Sequence, residues 1–184
     1  MRRRRILTAL AGFSAVPLIT PTFPIFAAAI GSSSIESIQT RWRTLLAKSA
    51  SIATDAQPLG REASSWRADL PAGSFEVLFE EDTERPFSSH LNYERRPGVF
   101  VCRACDLPLF SSEMKYDSGT GWPSFFTTIP HHLATKTDFK LIWPRTEYHC
   151  VKCDGHQGHI FEDGPQPTGE RWCNNGAALR FIPE

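Results

Sequence analysis

The chain has 184 residues, of which 41% are hydrophobic and 22% charged, and its twenty basic residues balance twenty acidic ones. This length fits one domain with an appendage, and the hydrophobic and aromatic content excludes a generally disordered chain. A formal net charge of zero argues against nucleic acid as a partner, because surfaces that bind nucleic acid carry an excess of Lys and Arg.

Residues 1–29 have the pattern of an export signal. Arg2 to Arg5 form a basic cluster, Ile6 to Val16 form an apolar run, and Ala27 to Ala29 offer small residues at a cleavage site. Arginines before a moderately apolar run also resemble a twin-arginine signal. We therefore predict export, to the bacterial periplasm. An uncleaved leader that anchors the protein in the membrane is the alternative, although three prolines in the segment disfavour a spanning helix.

Residues 30–63 are predicted to form a connector between this leader and a domain at 64–184. Apolar side chains recur at helical spacing, which predicts one amphipathic helix of about four turns. Such a helix either packs on the domain or engages a partner, and packing is the simpler interpretation. The apolar positions are Ile35, Ile38, Trp42, Leu45 and Leu46.

From Phe75 onward, short β-like runs alternate with turn residues, which predicts a mainly β fold with antiparallel strands and with helices on the amino-terminal side. The predicted runs are Phe75–Phe79, Gly98–Val101, Phe139–Trp143, Gly158–Phe161, a run around Trp172, and Leu179–Ile182.

Four of the five cysteines form two CxxC pairs, Cys102 with Cys105 and Cys150 with Cys153, separated by 44 residues. Two tight turns that each supply two sulfurs complete a tetrahedral site, and four thiolates leave no open position for catalysis. The spacing therefore favours one structural Zn²⁺. Two disulfides are the alternative, because an exported protein meets an oxidising environment.

The fifth cysteine, Cys173, has no partner of this kind. An odd cysteine in an exported protein is either an inert buried thiol or a reactive one. If residues 171–175 are extended, Arg171, Cys173 and Asn175 share a face. The guanidinium then favours the thiolate, and the amide can donate a hydrogen bond to an oxygen held at the sulfur. Cys173 is thus a candidate nucleophile.

Two histidines and two aromatic residues are further candidates. His156 and His159 follow the second CxxC pair, where a polar cluster could face the strand of Cys173. They could instead be spare metal ligands or surface residues. Trp122 and Phe125 follow a glycine-flanked turn and are core residues by default, and the functional alternative is an apolar wall for a small substrate group such as a methyl.

Taken together, these segments resemble the methionine-R-sulfoxide reductase B family. The likeness runs from about Ser64 to Glu184 and rests on many motifs in a fixed order. The motifs are Thr83–Phe87, Cys102–Cys105, Lys115–Phe125, Arg145–Glu147, Cys150–Phe161 and Asp163–Phe181. The resemblance implies two antiparallel sheets (a β-tent stabilised by zinc) and reduction of the R epimer of methionine sulfoxide in proteins or peptides, a repair reaction under oxidative stress.

The resemblance also implies a role for each candidate residue. Cys173 lies at the family's nucleophile, which attacks the sulfoxide sulfur and is left as a sulfenic acid. His156, His159 and Asn175 lie at positions that hold the departing oxygen and deliver its proton. Two further implied roles are the packing of Trp122 on the substrate methyl and the support of the thiolate by Arg171.

This sequence departs from the family pattern at several positions. Many members have a resolving cysteine where this chain has Thr120, and the chain has no sixth cysteine. We therefore expect an external thiol, either a thioredoxin-like protein or a small thiol, to reduce the sulfenic acid. Trp172, Gln157 and Gly176 replace the family's usual Tyr, Leu and Ser, and we expect them to alter the rim of the pocket.

Two other functional classes compete with this interpretation. A zinc-stabilised β module could bind a peptide or protein without catalysis, leaving Cys173 inert. Such a module has no need to assemble Arg171, Cys173 and Asn175 with two histidines. A thiol peroxidase also forms a sulfenic acid, but it needs neither the Trp122 wall nor the metal scaffold.

Overall fold

The computed structural model describes residues 32–140 and 143–184, so the predicted leader lies outside the described residues. The described chain is mainly β, with two antiparallel sheets and few helices, as predicted. Its strands are β1 (Gly98–Cys102), β2 (Pro108–Ser111), β3 (Lys115–Tyr116), β4 (Ser124–Phe125), β5 (Leu133–Asp138), β6 (Arg145–Cys150), β7 (His156–Phe161), β8 (Arg171–Asn174) and β9 (Leu179–Pro183).

The smaller sheet has the strand order β2-β1-β9. Its central strand β1 is buried along its whole length, which fits a sequence without polar alternation (Gly-Val-Phe-Val-Cys). Strand β1 ends at the first cysteine of the first CxxC pair, Cys102, and β9 pairs with β1 in register from Gly98 to that residue.

The larger sheet has the order β3-β4-β8-β7-β6-β5. Its central strands β8 and β7 carry most of the candidate catalytic side chains, and their antiparallel register sets Cys173 directly opposite His159. Gly158 permits this pairing, because a Cβ at that position would lie 1.9 Å from the Cys173 carbonyl oxygen. Aromatic rings fill the space between the sheets: Phe110 stacks on Phe125 at 4.0 Å between ring centroids, and Phe100 packs edge-on against Phe125.

Helices occupy the amino-terminal side, as predicted, but they differ in extent. The connector has a short helix α1 (Ser32–Thr40) and then a 3₁₀ turn (Arg41–Leu45) that buries Trp42 in the domain core, so its helix is shorter than four turns. Residues Phe75–Phe79, predicted as a strand, lie in helix α2 (Ala72–Glu80), so that strand prediction is wrong. In this helix Phe75 and Leu78 are one turn apart, so both side chains reach the core and are buried.

The predicted strand Phe139–Trp143 includes two residues outside the described ranges, and its described residues are not in a strand. Strand β5 lies earlier, at Leu133–Asp138, and Phe139 and Trp143 are more than three-quarters exposed. The prediction relied on the apolar composition of this run, but Phe139 and Trp143 do not pack in the core. None of the helices among residues 32–140 and 143–184 is long and apolar enough to cross a membrane.

The connector crosses both CxxC turns. The Ala53 N–H donates to the Asp106 carbonyl oxygen beside the first pair, and the Leu59 N–H donates to the Lys152 carbonyl oxygen inside the second. Asp55 adds an ion pair of 2.9 Å with the Lys152 ammonium. The connector therefore packs on the domain, and its boundaries with the leader and with the domain at 64–184 stay predictions.

Candidate functional site

The four CxxC cysteines converge on one point. Their sulfur atoms lie within 4.8 Å of one another, and three of the four residues are buried. Two separations of 3.5 Å join sulfurs of different pairs: Cys102 with Cys153, and Cys105 with Cys150. A disulfide needs about 2.05 Å, so all five cysteines are free. Sulfurs placed about 2.3 Å from a tetrahedral Zn²⁺ are about 3.8 Å apart, so this cluster fits a metal ion.

The two CxxC turns are built alike. In each, the N–H of the residue after the second cysteine donates to the carbonyl of the first cysteine, and that residue is an aspartate at positive φ, Asp106 in one turn and Asp154 in the other. Aspartate is one of the few non-glycine residues that enter this region readily. The repeated Cys-x-x-Cys-Asp is a sequence signal of this turn that the spacing argument did not use.

Cys173 lies at a small cleft of about 120 Å³ on the larger sheet. The cleft is lined by Thr83, Trp122, Arg145, Gly158, His159, Phe161, Cys173, Asn174 and Asn175. Cys173 is a half-buried residue at this cleft. The structure thus brings together four of the predicted site residues here: Cys173, His159, Asn175 and Trp122.

A β-bulge places both histidines on one face of β7. His156 and His159 are three residues apart and would point to opposite faces of a regular strand. Tyr148 pairs with Gly158 and the next residue, His149, pairs with His156, so Gln157 is the extra residue of the bulge. The two imidazole rings then approach to 5.4 Å between centroids. His159 lines the cleft, whereas His156 lies behind it, almost fully buried.

Each histidine faces one carboxylate. The His159 Nε2–H donates to Asp138 Oδ2 at 2.8 Å, and His156 Nδ1 lies 2.9 Å from Glu147 Oε1. The backbone N–H of Lys140, together with His159 and Arg145, holds the pKa of Asp138 well below its usual range. Burial lowers the pKa of both imidazoles, and the carboxylates only partly oppose it. Both rings are therefore mainly neutral at pH 7.

The charge on Cys173 is set by two opposing effects. Burial raises the pKa of the thiol, and the Arg171 guanidinium and the Thr120 hydroxyl oppose this. Burial is the larger effect, so the predicted activation by Arg171 does not make the resting sulfur a thiolate. Arg171 lies beside the cleft, in a polar depression with Thr120 and Asp163, and its forked pair with Asp163 fixes it (2.7 and 2.9 Å).

Glu84 connects the cleft's polar and apolar walls, and the sequence argument missed this role. Its carbonyl oxygen accepts the Trp122 indole N–H at 3.1 Å, and its N–H donates to Asn175 Oδ1 at 3.1 Å. Its carboxylate accepts the N–H groups of Gly176 and Ala177, in the turn that follows β8. Glu84 therefore fixes the positions of two predicted site residues that are far apart in sequence.

Phe125 does not line the cleft and lies instead in the core. It is fully buried between Phe100 and Phe110, so it supports β4 from beneath. The default interpretation of this residue is correct and its assignment to the substrate wall is wrong. Trp122 alone of the two reaches the cleft, and Phe161 supplies a second aromatic side chain there.

Two of the unusual residues have structural reasons away from the cleft rim. Ser89 leaves room only for glycine at position 176, because a Cβ there would lie 2.1 Å from Ser89 Oγ. Gln157 is fully buried beneath the sheet. Its side-chain Nε2–H donates to Cys102 Sγ at 3.4 Å. Its backbone carbonyl oxygen accepts the backbone N–H and the side-chain Nδ2–H of Asn175. This residue joins the metal cluster directly to the cleft.

Comparisons with known proteins agree with this geometry. The SelR domain family matches residues 70–183. The chain is 48% identical over 117 residues to the peptide methionine sulfoxide reductase MsrB of Hahella chejuensis, a match that covers 63% of this chain and 84% of that protein. It is 45% identical over 130 residues to the enzyme of the same name from Pseudomonas entomophila, covering 69% of this chain and 98% of the relative. For the Methanosarcina barkeri enzyme the identity is 43% over 125 residues, covering 67% and 88%.

The family match covers more than half of the chain, and it includes both CxxC turns, the bulged strand and Cys173. The chain belongs to the methionine-R-sulfoxide reductase B family.

Proposed function

We propose that this protein reduces the R epimer of methionine sulfoxide in proteins and peptides to methionine. The observation that carries the proposal is the pairing of Cys173 with His159 across β8 and β7, inside a cleft that also holds Trp122 and Asn175. A sulfur nucleophile, polar groups for the leaving oxygen and an aromatic wall are the parts that this reaction needs. A pure binding module does not need them.

The first step transfers the sulfoxide oxygen to the enzyme. The Cys173 thiol loses its proton as its sulfur attacks the substrate sulfur, and the substrate oxygen takes up one proton. This oxygen then passes to the Cys173 sulfur as the substrate sulfur loses its bonds to the oxygen and to Cys173. The products are methionine and Cys173 sulfenic acid. Asn175 and His159 face this oxygen, and Arg171 and Thr120 favour the thiolate that attacks. Trp122 supplies the surface for the methyl group.

The second step requires an external thiol. Thr120 lies where many relatives have a resolving cysteine, and its hydroxyl contacts the Cys173 sulfur but cannot form a disulfide. The other four sulfurs are committed to the metal cluster. One thiol condenses with the sulfenic acid and releases water, and a second thiol then frees Cys173 as a disulfide leaves. A thioredoxin-like protein or a small thiol fits this role.

We further propose that the four-cysteine cluster holds one structural Zn²⁺. Cys102, Cys105, Cys150 and Cys153 would ligate the ion, which ties β1 to the end of β6. Four thiolate ligands select zinc among common divalent cations and leave no position for substrate. The ion therefore stabilises the fold and takes no part in oxygen transfer.

Export to the bacterial periplasm is also a proposal, supported by the leader sequence at 1–29. It agrees with a role in repairing proteins under oxidative stress, because exported proteins meet oxidants first. Amino-terminal sequencing of the mature protein is expected to place the cleavage near Ala29, and an intact Met1 in membranes would support the anchored alternative.

The activity is tested with the two separated epimers of methionine sulfoxide in a short blocked peptide. With dithiothreitol as reductant, we expect turnover of the R epimer and none of the S epimer, because a wall on one side of Cys173 admits one arrangement of methyl and oxygen. Methionine is measured by chromatography. Equal rates on both epimers, or reduction of S alone, would contradict the proposal.

A further inference from the structure

Cys173 has four neighbours on its own face of the larger sheet. Along the chain, Arg171 precedes it and Asn175 follows it by two residues, and Asn175 keeps an extended backbone (φ −69°, ψ 125°). Across the sheet, His159 of β7 and Ser124 of β4 pair with Cys173 directly. Directly paired residues of antiparallel strands present their side chains on the same face. These four side chains therefore surround the sulfur in the plane of the sheet.

Two of these neighbours belong to the cleft. His159 and Asn175 line it, on adjacent sides of the sulfur. Arg171 lies opposite Asn175 along β8, and Ser124 lies opposite His159 across the sheet. Arg171 and Ser124 therefore mark the side of the sulfur that faces away from the cleft.

The polar depression beside Arg171 lies on this other side. It measures about 300 Å³, and Ser118, Thr120 and Arg171 are part of its lining. Ser118 Oγ is hydrogen-bonded to Ser124 Oγ at 2.7 Å and to Thr120 Oγ1 at 2.8 Å, which connects the depression to the strand next to Cys173. The Thr120 hydroxyl and the Arg171 guanidinium also contact the Cys173 sulfur. The sulfur thus lies between two cavities, the cleft and the depression.

The bonds of the sulfenic acid fix the direction from which a thiol can reduce it. Displacement at a divalent sulfur is in line, so the attacking sulfur approaches opposite the oxygen that leaves. The substrate delivers this oxygen from the cleft, where His159 and Asn175 face it. The attacking thiolate therefore has to approach from the side away from the cleft.

We propose that the external thiol reduces Cys173 sulfenic acid from the polar depression, between Thr120 and Arg171. The thiolate attacks the Cys173 sulfur, a sulfur–sulfur bond forms and the sulfur–oxygen bond breaks. The oxygen leaves as water with the proton that the thiol gave up. A hydroxyl and a guanidinium at this point favour negative charge on the incoming sulfur. The inference rests on the proposed function, because it assigns a site to the second step of that reaction.

The test measures this second step alone. One turnover with the R epimer and no reductant first converts Cys173 to the sulfenic acid. A thiol is then added, and the mixed disulfide is quantified by mass spectrometry after rapid quenching. The two thiols are cysteamine, which carries a positive ammonium, and 2-mercaptoethanesulfonate, which carries a negative sulfonate. The ratio of their rate constants reports the charge along the path of entry.

Asp117→Lys changes the charge of the depression. Asp117 lines it, and its side chain is 65% exposed and 3.4 Å from that of Arg95. We expect the rate with the sulfonate thiol to rise and the rate with cysteamine to fall, each about threefold at low ionic strength, as a change of two charges across a small cavity gives in water. Methionine formation in the first step is expected to match the wild type.

A milder variant covers a Lys variant that does not fold. Asp117→Asn keeps an oxygen that accepts the Gly119 N–H and removes one charge. It is expected to shift both thiol rates in the same directions by smaller factors.

The matched control places the same charge change beside the cleft. Asp82 is exposed and precedes Thr83, which lines the cleft. If the thiol enters from the depression, Asp82→Lys leaves the ratio of the two rate constants at its wild-type value. A ratio that stays at the wild-type value in both Asp117 variants would overturn the inference, whether or not Asp82→Lys changes it.

A second arm distinguishes a protein thiol from a small one. A bacterial thioredoxin replaces the small thiols, and its reactive sulfur has to make the same in-line approach. We therefore expect Asp117→Lys to change its rate constant as well, and a rate constant that responds only to Asp82→Lys would contradict the inference. A thioredoxin that reacts faster than both small thiols assigns the reductant to a protein, and the reverse order assigns it to a small molecule.

The two steps separate failure of the inference from failure of the proposed function. If the wild type forms no methionine from the R epimer, the proposed function fails. If it forms methionine and the sulfenic acid, and neither Asp117 variant changes the ratio of thiol rates, only the inference fails.

Discussion

Cys173→Ser is expected to lose reduction of the R epimer by at least about 10⁴-fold. The sulfur of Cys173 both attacks the substrate and keeps the oxygen as a sulfenic acid, and a serine hydroxyl can do neither at neutral pH. The residue is half-buried in the cleft, so an isosteric change leaves the fold intact. The measurement is steady-state methionine production with dithiothreitol, compared with the wild type at equal zinc content.

The wild-type protein is tested for the products that Cys173→Ser should not form. Without reductant, each chain is expected to form one methionine, and mass spectrometry of the intact protein then shows one added oxygen, which a sulfenic-acid probe places at Cys173. The matched control is Thr120→Ser, which keeps the hydroxyl beside the sulfur. Activity that survives Cys173→Ser, or a disulfide between Cys173 and another cysteine of the same chain, would contradict the proposed chemistry.

Loss of the metal cluster is expected to unfold the protein. Structural zinc supplies on the order of 10 kcal/mol of folding free energy, and this equals or exceeds the whole stability of many domains. Cys150→Ser removes one ligand and leaves three thiols crowded in a mainly buried site. We expect no zinc in the purified variant and no cooperative thermal unfolding transition. Circular dichroism and elemental analysis measure both.

The fifth cysteine supplies the control for this experiment. Cys173→Ser removes a thiol of the same chain outside the cluster, and it is expected to keep one zinc per chain and the wild-type melting temperature. A strong chelator is expected to lower the melting temperature of the wild type and of Cys173→Ser alike. A melting temperature that stays unchanged after verified metal loss would show that the cluster does not stabilise the fold.

The parts of this molecule that the sequence could predict are those encoded by local patterns. The spacing of two CxxC pairs predicted one four-sulfur cluster, and the structure brings the four sulfurs together. Four of the six short β-like runs correspond to strands β1, β7, β8 and β9, because apolar runs bounded by turn residues are typical of strands. The odd cysteine near Arg171 and Asn175 lies at a cleft in the structure, and its role as nucleophile stays a prediction.

What the sequence could not predict depends on contacts between distant segments. The bulge at Gln157 arises from the register of β7 with β6, and it alone sets His156 and His159 on one face. The role of Glu84 depends on hydrogen bonds to residues 38 and 91 positions away. Phe125 was open to two interpretations because burial in a core and a place in an apolar wall require the same kind of side chain.

The buried side chain of Gln157 links the cleft to the proposed metal site. Gln157 touches Cys102 Sγ on one side and holds Asn175 through its backbone on the other. An oxidant that ejected the proposed ion would therefore disturb Asn175 at the cleft as well as the fold. We therefore expect loss of the proposed Zn²⁺ to lower the activity and the stability of the protein together.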